Sequence, residues 1–98
     1  MTRRANPAVG EDYFKKGKVE QLAGNHKRAI ELYTLATACK ASYFQAYCNM
    51  GYCYRALGKF GEAKRSYQSA LYSNPQDPIS HFNLANLYRV MGENELAI

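Results

Sequence analysis

The stretch Phe44–Pro75, FQAYCNMGYCYRALGKFGEAKRSYQSALYSNP, decides the fold. Ala46, Met50, Cys53, Tyr54 and Leu57 recur at spacings of three and four, which lays one apolar stripe along a first helix. Gly58 ends that helix, because glycine alone enters the left-handed cap conformation without strain. A second helix follows, with Phe60, Ala63, Tyr67, Ala70 and Leu71 inward and Lys59, Glu62, Lys64, Arg65 and Gln68 toward water. Asn74-Pro75 and Asp77-Pro78 stop it and open the next helix, proline being favoured in a first turn. Gly51 and Ala63 leave room for two backbones to approach, and Tyr47, Tyr54 and Tyr67 fill the space around them.

The pattern recurs on both sides. Gly24, Gly58 and Gly92 stand 34 residues apart. The same offset joins Tyr13, Tyr47 and His81, then Gly17, Gly51 and Ala85, then Ala29, Ala63 and Ala97. It also joins Tyr33 to Tyr67 and Ala36 to Ala70. Six columns in one register define a repeat protein, in which each unit buries its apolar face only by stacking on a neighbour.

The spacing Tyr47-x2-Met50-Gly51-x2-Tyr54-x8-Ala63-x3-Tyr67-x2-Ala70-x4-Pro75 resembles the tetratricopeptide repeat (TPR). The first aromatic of that family is usually Trp, and here it is Tyr or His. The resemblance implies an all-α chain: a TPR right-handed superhelix of antiparallel helix pairs with about two and a half repeats, five helices plus a truncated sixth. The units fall at residues 10–43, 44–77 and 78–98, preceded by a disordered basic tail at 1–9. In the first unit Lys16, Glu20 and Ala41 replace the family's Leu, aromatic and Pro, as a water-facing cap allows. The third keeps Leu84, Ala85, Tyr88, Gly92 and Ala97, and a second helix starting near Asn94 has too few residues to stand alone. This reads as part of a longer array, with self-association through the incomplete third repeat as an alternative.

In the family the first helices of successive repeats line a concave groove. The groove positions carried over are Glu11, Phe14, Lys15, Lys18 and Gln21, then Gln45, Cys48, Asn49, Tyr52 and Arg55, then Ile79, Phe82, Asn83, Asn86 and Arg89. Lys15, Lys18, Arg55 and Arg89 against Glu11 make this face basic. Asn49 and Asn83 share one column and form a short ladder with Asn86, similar to the amide ladders of the O-GlcNAc transferase TPR arm and of spindle-orientation adaptors. A carboxamide both donates and accepts, so it pairs with a peptide backbone without reading side chains. Phe14, Tyr52 and Phe82 offer apolar anchors. Each amide taken singly fits equally a tie between neighbouring helices.

The resemblance therefore implies a scaffold or adaptor that holds a segment of a partner protein. An architectural array packing laterally in a large assembly is the second reading. Chaperone-binding members grip the C-terminal carboxylate of Hsp70 or Hsp90 with Lys and Asn, then Asn, then Lys and Arg. Those positions here hold Phe14, Lys18, Asn49, Ile79 and Asn83, so only Asn49 matches and the clamp is absent.

Composition narrows the remaining classes. Of the formal net charge of +5, residues 1–28 carry +4 through Arg3, Arg4, Lys15, Lys16, Lys18, Lys27 and Arg28 against Glu11, Asp12 and Glu20. These cations are split among tail, groove and outer faces, and most of the 9 tyrosines sit at packing columns, which argues against a nucleic-acid stripe. Cys39, Cys48 and Cys53 are odd in number and form no CxxC pair, pointing to free thiols in a reducing, cytoplasmic or nuclear compartment. Cys48 is the one expected to face the groove. His26 and His81 have no Cys or carboxylate at ligand spacing, and no nucleophile triad or phosphate loop is placed by the helical register. No enzyme, cofactor, metal, small-molecule substrate or membrane span is expected.

Overall fold

The computed structural model describes residues 7–96, which form five helices: α1 (Pro7–Leu22), α2 (His26–Cys39), α3 (Phe44–Ala56), α4 (Phe60–Ser73) and α5 (Pro78–Leu96). Each helix packs on the next in sequence, and α3 also touches α5. Antiparallel pairs α1/α2 and α3/α4 are thus stacked in a row that α5 continues, giving an elongated body of 54 × 29 × 22 Å.

The turns inside the pairs share one mechanism. Gly24 and Gly58 have φ of +85° and +76°. The glycine N–H then bonds back three residues, to Gln21 and Arg55, and the following N–H bonds back five, to Glu20 and Tyr54. This is the Schellman arrangement, which satisfies carbonyls that the helix end would leave bare. The turns between pairs use no glycine. Lys40 and Asn74, again 34 apart, leave their helices in nearly the same extended conformation, at φ −146°, ψ 102° and φ −141°, ψ 87°. Pro75 favours that geometry at Asn74, yet Lys40 reaches it before Ala41, so packing alone suffices there.

Tyr33 and Tyr67 organise the core. Both are essentially fully buried. Tyr33 sits with Ala29, Ala36, Ala46, Met50 and Cys53, and Tyr67 with Cys48, Ala63, Ala70 and Leu87. Each ring lies on a glycine of the preceding helix: a Cβ on Gly17 would stand 2.7 Å from Tyr33, and one on Gly51 2.6 Å from Tyr67. The column pairs Gly17/Gly51 and Tyr33/Tyr67 are therefore one packing unit built twice.

Both ends differ from the sequence expectation. The helix opens at Pro7, so Pro7 to Val9 form the first turn of α1, and the rest of the expected tail lies outside the described residues. Proline suits a helix N-terminus because its missing N–H is not needed there. At the other end α5 runs through Gly92 to Leu96 without a break, and no separate sixth helix begins among the described residues. Extending an existing helix costs no nucleation, whereas starting a new one of a few residues does.

Candidate functional site

The groove columns arrive on α1, α3 and α5, but the structure divides them into two populations. One is committed to packing. Phe14 stacks on Tyr43 at 5.0 Å between ring centroids and tilts against Tyr33 at 5.7 Å, so it is not a free anchor. The Tyr33 hydroxyl donates to Gln21 Oε1 at 2.5 Å and receives Asn49 Nδ2 at 3.4 Å. One phenol thus ties α1, α2 and α3 together. Asn83 Nδ2 reaches Cys48 Sγ at 3.6 Å, a tie between α5 and α3. The Asn49/Asn83 pair is therefore engaged in two different contacts and is not an open ladder.

Cys48 lines a hollow on the α3 strip yet is nearly closed off. It is buried, with 5% of its surface exposed, and belongs to the Tyr67 cluster. Its column falls where α5 crosses α3, so the thiol is covered by the next helix. Burial raises its pKa, Asp77 adds to that, and contacts from Ser80 and Asn83 oppose it. Burial alone carries the Cys53 thiol up to about 11. Cys48 and Cys53 stay protonated at neutral pH, and all three cysteines are free.

The other population is open. Tyr52 on α3 is 45% exposed, and Ile79 and Phe82 on α5 are 62% and 67% exposed. Gln45, Lys15 and Lys18 are exposed as well, the Lys18 ammonium lying 5.5 Å over the Phe14 ring. Arg55 is half-buried, and exposed Arg89 donates to Asn86 Oδ1 at 3.1 Å. Two hollows are open along α3. Phe44, Gln45, Cys48, Asn49, Asp77 and Ile79 line one, and Tyr52, Arg55, Ala56, Phe60 and Val90 line the other.

Phe44, Asp77, Ala56, Phe60 and Val90 were absent from the groove columns. Asp77 had a signal in the sequence: it precedes Pro78 and stands three residues before Ser80. Its Oδ2 accepts both the Ser80 N–H, at 3.1 Å, and the Ser80 hydroxyl, which caps α5. Phe60 opens α4 and packs against the Tyr67 cluster, and Val90 on α5 reaches the same hollow.

Two histidines complete the account. His81, in the Tyr13/Tyr47 column, is exposed, and its Nε2 bonds the Pro75 carbonyl at 2.7 Å. The face that α2 covers on α1, and α4 on α3, has no covering helix on α5 among the described residues; Ala85 and Tyr88 are exposed there too. His26 Nδ1 is buried without a hydrogen bond. Among the described residues no group of three His, Cys, Asp or Glu could hold a metal, and no helix is long and apolar enough to cross a membrane.

Comparison with known proteins agrees with this architecture. Two family models described as tetratricopeptide repeat match residues 44–77 and 66–98. BBSome complex member BBS4 of Bos taurus is 31% identical over 77 residues, which is 79% of this chain and 15% of that protein. The second TPR of Spaghetti (RPAP3), solved with the HSP90 peptide SRMEEVD, superposes with a TM-score of 0.86 at 19% identity, covering 92% of this chain and 83% of that one. MamA superposes at 0.83 with 21% identity over 89% of this chain and 51% of that one. The chain thus spans a small part of the curated relative and half of MamA.

Proposed function

Since the chain belongs to the tetratricopeptide repeat family, a non-catalytic protein-interaction fold, we propose that it is an adaptor or scaffold module whose concave face holds a segment of a partner protein. The observation that carries this reading is the exposure of Tyr52, Ile79 and Phe82 together along α3 and α5, beside two hollows. Large apolar side chains left open around a concavity supply the anchors that dominate protein–protein binding. The Spaghetti (RPAP3) domains solved with an HSP90 peptide support peptide capture by this architecture. The chaperone clamp residues are missing here, so the partner is of another kind. A reducing, cytoplasmic setting remains part of the proposal, in keeping with three free thiols.

The test is a binding comparison of three variants. Phe82→Ala and Ile79→Ser should lose partner capture by about tenfold or more, as expected for an anchor contact. Tyr72→Ser, at a 91% exposed site on α4, should leave it intact. Equal binding by all three would refute groove capture. The second reading, lateral packing in an assembly, draws on the relative that is a complex member and on the uncovered Ala85/Tyr88 face of α5. It predicts the opposite outcome, with Tyr88→Glu abolishing association and Phe82→Ala harmless.

A further inference from the structure

Five acidic side chains are engaged by neighbours, and Glu11, in a groove column of α1, is exposed. Asp12 pairs with Lys16 at 3.0 Å, Glu31 with Arg28 at 2.9 Å and Glu62 with Arg65 at 3.6 Å. Glu20 accepts from Asn25 Nδ2, and Asp77 is buried under its bonds to Ser80. Among residues 8–92, whose side chains the structure describes, Lys15, Lys18, Arg55 and Arg89 enter no ion pair. Arg55 and Arg89 hold one column in neighbouring repeats, at the C-terminal ends of the α3 and α5 strips. Arg55 lines a hollow with Tyr52, Ala56, Phe60 and Val90, and Arg89 precedes Val90 in sequence.

One end of the strip thus carries Arg55 and Arg89, while the other end presents Ile79 and Phe82, one helical turn apart and well exposed. We propose that the α3–α5 strip takes an acidic segment of a partner protein, with carboxylates beside Arg55 and Arg89 and a large apolar side chain seated on Ile79 and Phe82. This rests on the groove reading above and adds the chemistry of the ligand. Charge complementarity of this kind sets partner choice and on-rate. The spacing follows from helix geometry. Phe82 to Arg89 is seven residues, ~10 Å along the axis, and an extended peptide covers that in about three residues.

A random peptide library selected against the chain reads this directly. Asp or Glu should be enriched about three positions from Leu, Ile, Met or Phe, the length of strip that an extended segment must cover. Replacing the acids of a selected peptide by amides should weaken it on the order of tenfold, the loss of a charge-assisted contact, and rising salt should weaken only the acidic form. Arg55→Glu with Arg89→Glu should turn the preference toward basic peptides, and Arg89→Glu alone, at an exposed site, should move it the same way without a folding change. Selected peptides that depend on Phe82 but show no acidic preference would overturn this inference and leave groove binding standing. Finding no peptide whose binding depends on Tyr52, Ile79 or Phe82 would overturn both.

Discussion

Gly51 lies flat under the ring of Tyr67: a Cβ there would stand 2.6 Å from Cε1, inside any distance real carbons adopt. The ring cannot retreat, because Tyr67 is buried among Cys48, Ala63, Ala70 and Leu87. Gly51→Ala should therefore cost about 1–3 kcal/mol as overpacking, lowering the melting temperature by several degrees per kcal/mol in a domain of this size. Gly61→Ala is the control. The nearest atom to its Cβ would be a flexible Arg65 guanidine nitrogen at 4.0 Å, so helix propensity should make it neutral or slightly stabilising. Thermal unfolding of both variants checks the contrast.

Tyr33→Phe and Tyr67→Phe separate two tyrosines that share a column. The Tyr33 hydroxyl bonds Gln21 and Asn49, whereas that of Tyr67 makes no hydrogen bond among the described residues. Removing the first should cost about 1 kcal/mol and loosen the tie from α2 to Gln21 on α1 and Asn49 on α3. Removing the second should cost little. Urea unfolding curves of the two variants measure the difference.

Alkaline pH should unfold the chain from its thiols and phenols. Burial raises the Cys53 pKa to about 11, and raises Cys48, Tyr33 and Tyr67 from their ordinary values. A group held protonated by the folded state contributes stability that is complete below its unfolded pKa and is lost as pH rises through the folded one. Stability should therefore be level up to about pH 8 and fall from about pH 9 upward, given unfolded thiols near 8.5. Cys53→Ala should blunt the first part of that fall. A pH series of denaturant midpoints tests both statements.

Asp77→Ala removes the cap of α5. The loss should be about 1 kcal/mol, concentrated at one helix, because the Ser80 N–H and hydroxyl share the same acceptor. Hydrogen exchange should speed up in the first turn of α5 and leave α2 unchanged. Uniform acceleration would show that the cap supports the whole stack.

The repeat was legible because 34-residue columns are properties of local helix geometry, and Gly17, Gly51, Tyr33 and Tyr67 keep those roles in space. The candidate site was legible only as a face. Helical register assigns Cys48, Asn49 and Asn83 to the strip that points inward, but how far one helix covers the next depends on crossing geometry that register does not contain. That crossing buries Cys48, turns Asn83 onto its sulfur and leaves Phe82 open. Gly92 shows the same limit from the other side. Its column says turn, yet α5 continues through it to Leu96.

The near-identical exits at Lys40 and Asn74 make two interchangeable splice points. Joining Lys40 directly to Pro75 would excise one period and connect strands of backbone already headed the same way, with every remaining junction of a type the molecule now uses. The shortened chain would place α5 over α2, where α3 sits now, and would keep Phe82 and Arg89 while losing Tyr52 and Arg55. Length in this architecture is thus adjustable in whole units, and each unit added or removed changes the reach of the concave face by one rung.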